Sequence, residues 1–112
     1  MIIYPFKIAE NGILTHTRGD TAQFELQVQE NGIDVPSWTA KFSVKQYPDD
    51  TDYVYQVSFD QSTPCVILNS YTQNIPFGTY WYDVQIIYES NGMTQYRTIG
   101  AYPYILRPDV TS

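Results

Sequence analysis

The chain is poor in the residues from which active sites are most often assembled. It holds a single histidine, His16, and a single cysteine, Cys65. One thiol forms neither an intrachain disulfide nor a cysteine-based metal site, and one imidazole offers neither a metal set nor a base oriented by a second group. No serine lies in a Gly-x-Ser-x-Gly turn and no glycine-rich loop cradles a phosphate, so hydrolase triads and nucleotide-binding signatures are missing. Lys and Arg number six and are dispersed, against twelve Asp and Glu, for a net charge of −6. With no basic patch to neutralise a run of phosphates, nucleic acid is not an expected partner. No apolar stretch approaches the roughly 20 residues of a spanning helix, so no membrane partner is expected either. The opening MIIYPFKIAENG lacks the basic start and apolar run of a secretory signal. It predicts a protein made in a cytoplasm and not exported by a visible signal.

What is abundant points to strands. Hydrophobic residues make up 43% of the 112, and eleven tyrosines bring the aromatic share to 16%, a composition that favours β-structure over disorder. The length predicts one domain spanning residues 1–112. Three dipeptides, Asn11-Gly12, Asn31-Gly32 and Asn91-Gly92, each lie between candidate strands and suit the tight turn that needs positive φ at two successive positions. Between the first two, TAQFELQVQE alternates without a break, placing Ala22, Phe24, Leu26 and Val28 on one face. AKFSVKQY sets Phe42 and Val44 opposite Lys41, Ser43 and Lys45, while DYVYQVSF aligns Tyr53, Tyr55, Val57 and Phe59. PCVILN is a shorter candidate. The longest run, GTYWYDVQIIYE, puts Tyr80, Tyr82, Val84, Ile86 and Tyr88 on one face; MTQYRTIG pairs back through Asn91-Gly92, and YPYILRP forms a last strand. Seven to nine strands with no convincing amphipathic helix predict an all-β, immunoglobulin-like antiparallel β-sandwich. Its expected core is Phe24, Leu26, Val28, Phe42, Val44, Tyr82, Val84 and Ile86, with Trp38 packing over it.

Such sandwiches commonly carry a tyrosine whose hydroxyl bonds back to the turn before a late strand, and Gly78-Thr79-Tyr80-Trp81-Tyr82-Asp83 suits this. Tyr80 is the candidate, with Tyr82 filling the adjacent core position; the alternative is that both are ordinary strand tyrosines. Among groups with chemistry, Cys65 in PCVIL reads as a small buried hydrophobe rather than a reactive thiol. Asp49, Asp50 and Asp52 crowd one turn, where a Ca²⁺ site competes with a simple Pro-Asp turn of solvated charges; the turn lacks the Gly and bidentate Glu of an EF-hand loop. No cofactor is expected, and no nucleophile is paired with a base. Tyr47, Tyr71, Tyr96, Tyr102 and Tyr104 lie near predicted strand ends and suit an interface.

The tripeptide Arg18-Gly19-Asp20 has the sequence that integrins read, but it is wedged between ILTHT and TAQFELQV rather than at the tip of a long loop. The structural reading gives Gly19 the turn, lets the Asp20 carboxylate accept backbone N–H bonds, and pairs Arg18 with Asp20 or Asp83. Taken in order, THTRGDTAQFELQV, AKFSVKQ with DYVYQVSF, and IPFGTYWYDVQIIYESNG resemble the immunoglobulin-like N-terminal domain of upper baseplate proteins from phages and prophages of Gram-positive hosts. The resemblance spans about residues 13 to 106 and implies a non-enzymatic virion component of the tail or baseplate, made in a bacterial cytoplasm. Its implied partners are other virion proteins, with a homo-oligomer possible. The chain stops at Ser112, where such proteins continue into a helical linker and receptor-binding parts, which puts host recognition in doubt. A different class, a carbohydrate-binding or adhesion module for a host glycan, is the alternative, with an enzyme third. Coplanar exposed rings would favour the sugar, and an open sheet edge would favour assembly.

Overall fold

The structure, a computed structural model, describes residues 12–108 together with the backbone of 2–4 and 7–8. Asn11 of the first Asn-Gly turn lies outside these residues. In chain order the strands are β1 (Ile2–Tyr4), β2 (Lys7–Ile8), β3 (Leu14–Thr17), β4 (Ala22–Glu25), β5 (Gln29–Glu30), β6 (Ile33–Asp34), β7 (Trp38–Lys45), β8 (Tyr55–Asp60) and β9 (Cys65–Ile67). A single helical turn, α1 (Asn69–Thr72), leads to β10 (Gly78–Ser90) and β11 (Met93–Arg107). A six-stranded sheet in the order β2-β3-β11-β10-β7-β8 faces a three-stranded sheet, β1-β4-β9, and β5-β6 forms a separate hairpin. The chain is an all-β, immunoglobulin-like sandwich. Among the described residues every strand pair is antiparallel except β3 with β11, which run parallel from Leu14 opposite Tyr104 to Thr17 opposite Arg107.

Alternation decides which faces meet. Phe42 on β7 is fully buried, and its ring lies 5.4 Å from Phe24 of the opposite sheet and 5.5 Å from Tyr82 on β10. Phe24 also meets Phe59 edge-on at 5.5 Å, and Trp38 packs against Phe59 at 5.8 Å. Such edge-to-face contacts suit the ring quadrupoles and add to the area buried. Seven of the eight expected core residues are buried; Leu26 is only half-buried at the margin.

Strand limits differ from the sequence pattern in four places, each for a pairing reason. The run expected to continue unbroken from Ala22 to Gln29 stops at Glu25, because β1 and β9 supply partners no further. The chain then turns out into β5-β6, held where the Val35 N–H donates to the Val28 carbonyl (2.9 Å). Tyr53 was expected inside a strand but stands exposed in the preceding loop, since pairing with β7 begins at Val44 opposite Tyr55. PCVILN yields strand only to Ile67 before α1 begins. Finally, the last two expected strands are one, β11, which continues through an irregularity where Tyr82 opposes Tyr102 but Asp83 opposes Gly100. The extra residue restores the facing of Tyr102, Tyr104 and Leu106 toward the core side. The short two- and three-residue strands bring the count of described strands to eleven.

Both complete Asn-Gly turns behave as expected. Asn31 and Gly32 have φ of 54° and 79°, and Asn91 and Gly92 have 56° and 74°, so each closes a two-residue hairpin. Phe42→Ala should lower stability by about 3–5 kcal/mol, and Leu26→Ala by much less, because only the first leaves a cavity among fixed neighbours. Urea unfolding of the two variants tests the ranking.

Candidate functional site

The Arg18-Gly19-Asp20 turn is anchored on several sides. The Arg18 N–H donates to the Arg107 carbonyl (2.9 Å), and the Asp20 N–H to the Thr17 carbonyl (3.2 Å). Gly19 adopts φ of +82°, a conformation that favours glycine, and its N–H donates to the hydroxyl of fully buried Thr72 (2.8 Å). The Arg18 guanidinium reaches the Ile75 carbonyl at 3.5 Å and lies over the Phe77 ring at 5.5 Å. Two expected contacts are corrected. Asp20 acts through its backbone rather than its exposed carboxylate, and Asp83 pairs with Lys45 (3.1 Å) on the neighbouring strand. The tripeptide is built into the sandwich rather than displayed on a mobile tip.

Beneath this turn lies a buried polar chain. His16, inward on β3 and 2% exposed, donates through Nε2 to the Asp20 carbonyl at 3.1 Å. Its Nδ1 is then left to accept from the Tyr104 hydroxyl, whose oxygen accepts in turn from the Tyr55 hydroxyl at 2.9 Å. Burial lowers the His16 pKa below its ordinary value, against the raising influence of Asp20, so the ring is held neutral. Burial likewise raises both tyrosines. Cys65 is fully buried and its thiol pKa is driven up by desolvation, the opposite of what a nucleophilic thiolate needs. The inward facing of His16 could have been read from its alternation with Leu14; its partner 88 residues away could not.

The remaining motif residues hold strands in place. Tyr80 donates to the Pro76 carbonyl at 2.6 Å, closing the turn before β10. Gly78 opens that strand at an exposed position. Tyr82 is buried and donates to the Gly12 carbonyl at 2.6 Å, and desolvation, with Tyr102 nearby, pushes its pKa up to about 12. In the acidic turn the Asp50 carboxylate accepts the Tyr47 N–H (3.2 Å). Among the described residues no three or more His, Cys, Asp or Glu side chains, those of Asp49, Asp50 and Asp52 included, gather as a metal-ligand set. At the opposite end Glu30 of the β5-β6 hairpin accepts from Tyr88 (2.6 Å) and Ser90 (2.8 Å), contacts that hold its pKa low and dock the hairpin on β10.

Neither tryptophan forms an exposed platform: Trp38 is buried and Trp81 half-buried. Of the tyrosines expected at an interface, Tyr104 is fully buried and Tyr71 is half-buried, stacked on Tyr55 at 5.4 Å, whereas Tyr47, Tyr96 and Tyr102 are exposed. The feature not legible in the sequence is the edge of β11. Among the described residues it is paired with β3 only from Tyr104 to Arg107, leaving residues 93–101 open on that side. Of the ten large hydrophobic side chains exposed among the described residues, Met93, Tyr96, Ile99 and Tyr102 lie on this strand. This edge is the strongest candidate for an interaction surface.

Comparisons of the chain with family models, curated proteins and solved structures find no match.

Buried, neutral His16 makes stability depend on pH. The unfolded imidazole takes up a proton near pH 6.5 and the folded one resists it, so stability is complete above about 6.5 and falls as pH drops toward the lower folded value. Urea unfolding from pH 8 to pH 5 should show this loss, and His16→Gln should flatten it; an unchanged slope in the variant would assign the loss to other groups.

Proposed function

We propose that the chain is a non-enzymatic assembly component of a phage or prophage tail or baseplate, acting through contacts with other virion proteins. The observation that carries the protein-contact reading is the open β11 edge, where backbone donors and acceptors of residues 93–101 border exposed Met93, Tyr96 and Ile99. A neighbouring strand can satisfy those groups by extending the sheet. The virion setting is supported by the resemblance of the Thr17–Thr21 and Gly78–Val84 stretches to upper baseplate domains.

The non-enzymatic reading draws on how the reactive side chains are engaged. His16 has its two ring nitrogens bonded to Tyr104 and to the Asp20 carbonyl, and the Cys65 thiol is sealed in the core. A general base needs a substrate proton within reach, and a nucleophile needs access. Glycan binding is the less supported reading, because stacking on sugar rings asks for an exposed aromatic platform, whereas Trp38 is buried, Trp81 is half-buried, and exposed Tyr96 and Tyr102 project to opposite faces of the sheet.

Purified particles of a phage or induced prophage encoding the chain should contain it at stoichiometric level by quantitative mass spectrometry. The isolated protein should show no glycosidase, esterase or peptidase activity. Its absence from particles, combined with saturable binding to a defined glycan, would move the assignment to the adhesion class.

A further inference from the structure

The open part of β11 is self-complementary. Around Tyr96 the segment MTQYRTI reads alike in both directions by residue type: Gln95 matches Arg97, Thr94 matches Thr98, and Met93 matches Ile99. In an antiparallel pair centred on Tyr96, each of these residues stands directly opposite its match. Apolar side chains then face apolar ones, hydroxyls face hydroxyls, and the Gln95 amide oxygen can accept from the guanidinium of Arg97 in the second copy. Directly opposed residues project to the same side of a sheet, which preserves the facing set by β10. Met93, Gln95, Arg97 and Ile99 share the face of Ser90, Tyr88, Ile86 and Val84, and Thr94, Tyr96 and Thr98 share the other.

The edge also has the dimensions for this pairing. It is bounded by the Asn91-Gly92 turn at one end and at the other by Tyr104, where β3 takes over the pairing, so a strand entering antiparallel ends before it meets β3. Residues 93–99 contain no lysine and no proline, two of the devices that discourage edge pairing, and the irregularity of β11 lies beyond them at Gly100. They contain no carboxylate either; the nearest ones, Glu89 and Glu30, belong to β10 and the β5-β6 hairpin on the side away from the open edge.

We propose that β11 pairs antiparallel with β11 of a second copy on a two-fold axis through Tyr96, merging two six-stranded sheets into one. This rests on the reading of the edge as a protein-contact surface and names its occupant.

Mass in solution should rise to that of a dimer with increasing concentration by light scattering. Tyr96→Cys should cross-link to itself under mild oxidation, since Cα atoms on the axis lie within disulfide reach, while Cys65 is buried and does not compete. Thr98→Cys alone should not cross-link, because its two copies would be about 14 Å apart along the strands. A mixture of Thr94→Cys and Thr98→Cys proteins should form the mixed disulfide. Gln95→Arg, which opposes arginine to arginine twice per dimer, should weaken association about 10-fold, and Gln95→Glu should strengthen it. A protein that stays monomeric at the highest soluble concentration, or one in which Thr98→Cys cross-links as fast as Tyr96→Cys, overturns the pairing. The two readings fail separately: a monomer found in particles would retain the virion role with a different partner, and a dimer absent from particles would retain the pairing without the virion role.

Discussion

Three polar side chains, His16, Tyr104 and Tyr55, are buried near the Phe42 ring cluster and have to satisfy one another there. An unpaired polar group in that position costs the full loss of its hydration, so the three act as a unit. The chain of bonds runs from the Asp20 carbonyl through His16 on β3 and Tyr104 on β11 to Tyr55 on β8, spanning the six-stranded sheet from its second strand to its last. Its direction is fixed: Nε2 must donate to a carbonyl, so Nδ1 must accept, and the two hydroxyls then donate in sequence. That requirement ties the Arg18-Gly19-Asp20 turn to the interior. The tripeptide's backbone is held by what lies under it, and its resemblance to an adhesion signal is a consequence of turn chemistry.

The same arrangement divides β11 into two unlike halves. Its C-terminal half carries Tyr104 and Leu106 into the core and is flanked by β10 and β3. Among the described residues its N-terminal half is backed by β10 alone, and of the side chains on the core side there Met93, Arg97 and Ile99 remain exposed while Gln95 is half-buried. The irregularity opposite Tyr82 and Asp83 separates the halves and lets one continuous strand serve both roles. A fold stabilised at one end and open along the other half of an edge is suited to assembly, because the interior does not have to rearrange when a neighbour adds a strand. The hairpin docked through Glu30 on Tyr88 and Ser90 secures the far end of β10, so the edge is presented on a braced element.

Much of the core was legible because alternation is local. A period of two assigns faces along β7 and β10 without knowledge of any partner, and Phe42, Val44, Tyr82, Val84 and Ile86 are buried accordingly. The Asn-Gly turns were legible for a similar reason, since positive φ at two adjacent residues is a property of the dipeptide. Strand ends were not. The pattern from Phe24 through Val28 is continuous in sequence, yet the strand stops when its neighbours do, and Leu26 is left at the margin. The bonding of Asp20 and Asp83 differs from expectation because separation along the chain does not rank their candidate partners, and only the fold brings Lys45 beside Asp83.

The amino-acid sequence by itself determined the class of fold, the faces of its long strands and the scarcity of residues that could be assembled into a reactive centre. These follow from side-chain type and spacing, which act over a few residues. The tertiary structure alone decided that His16 meets Tyr104 and that, among the described residues, β3 covers one half of β11 and leaves the other open. Both depend on contacts between segments far apart in the chain, and in a β-sandwich most of the stabilising pairings are of that kind. The self-complementary order of residues 93–99 stood in the sequence throughout, but it acquired a physical meaning only once the fold placed it on an uncovered edge.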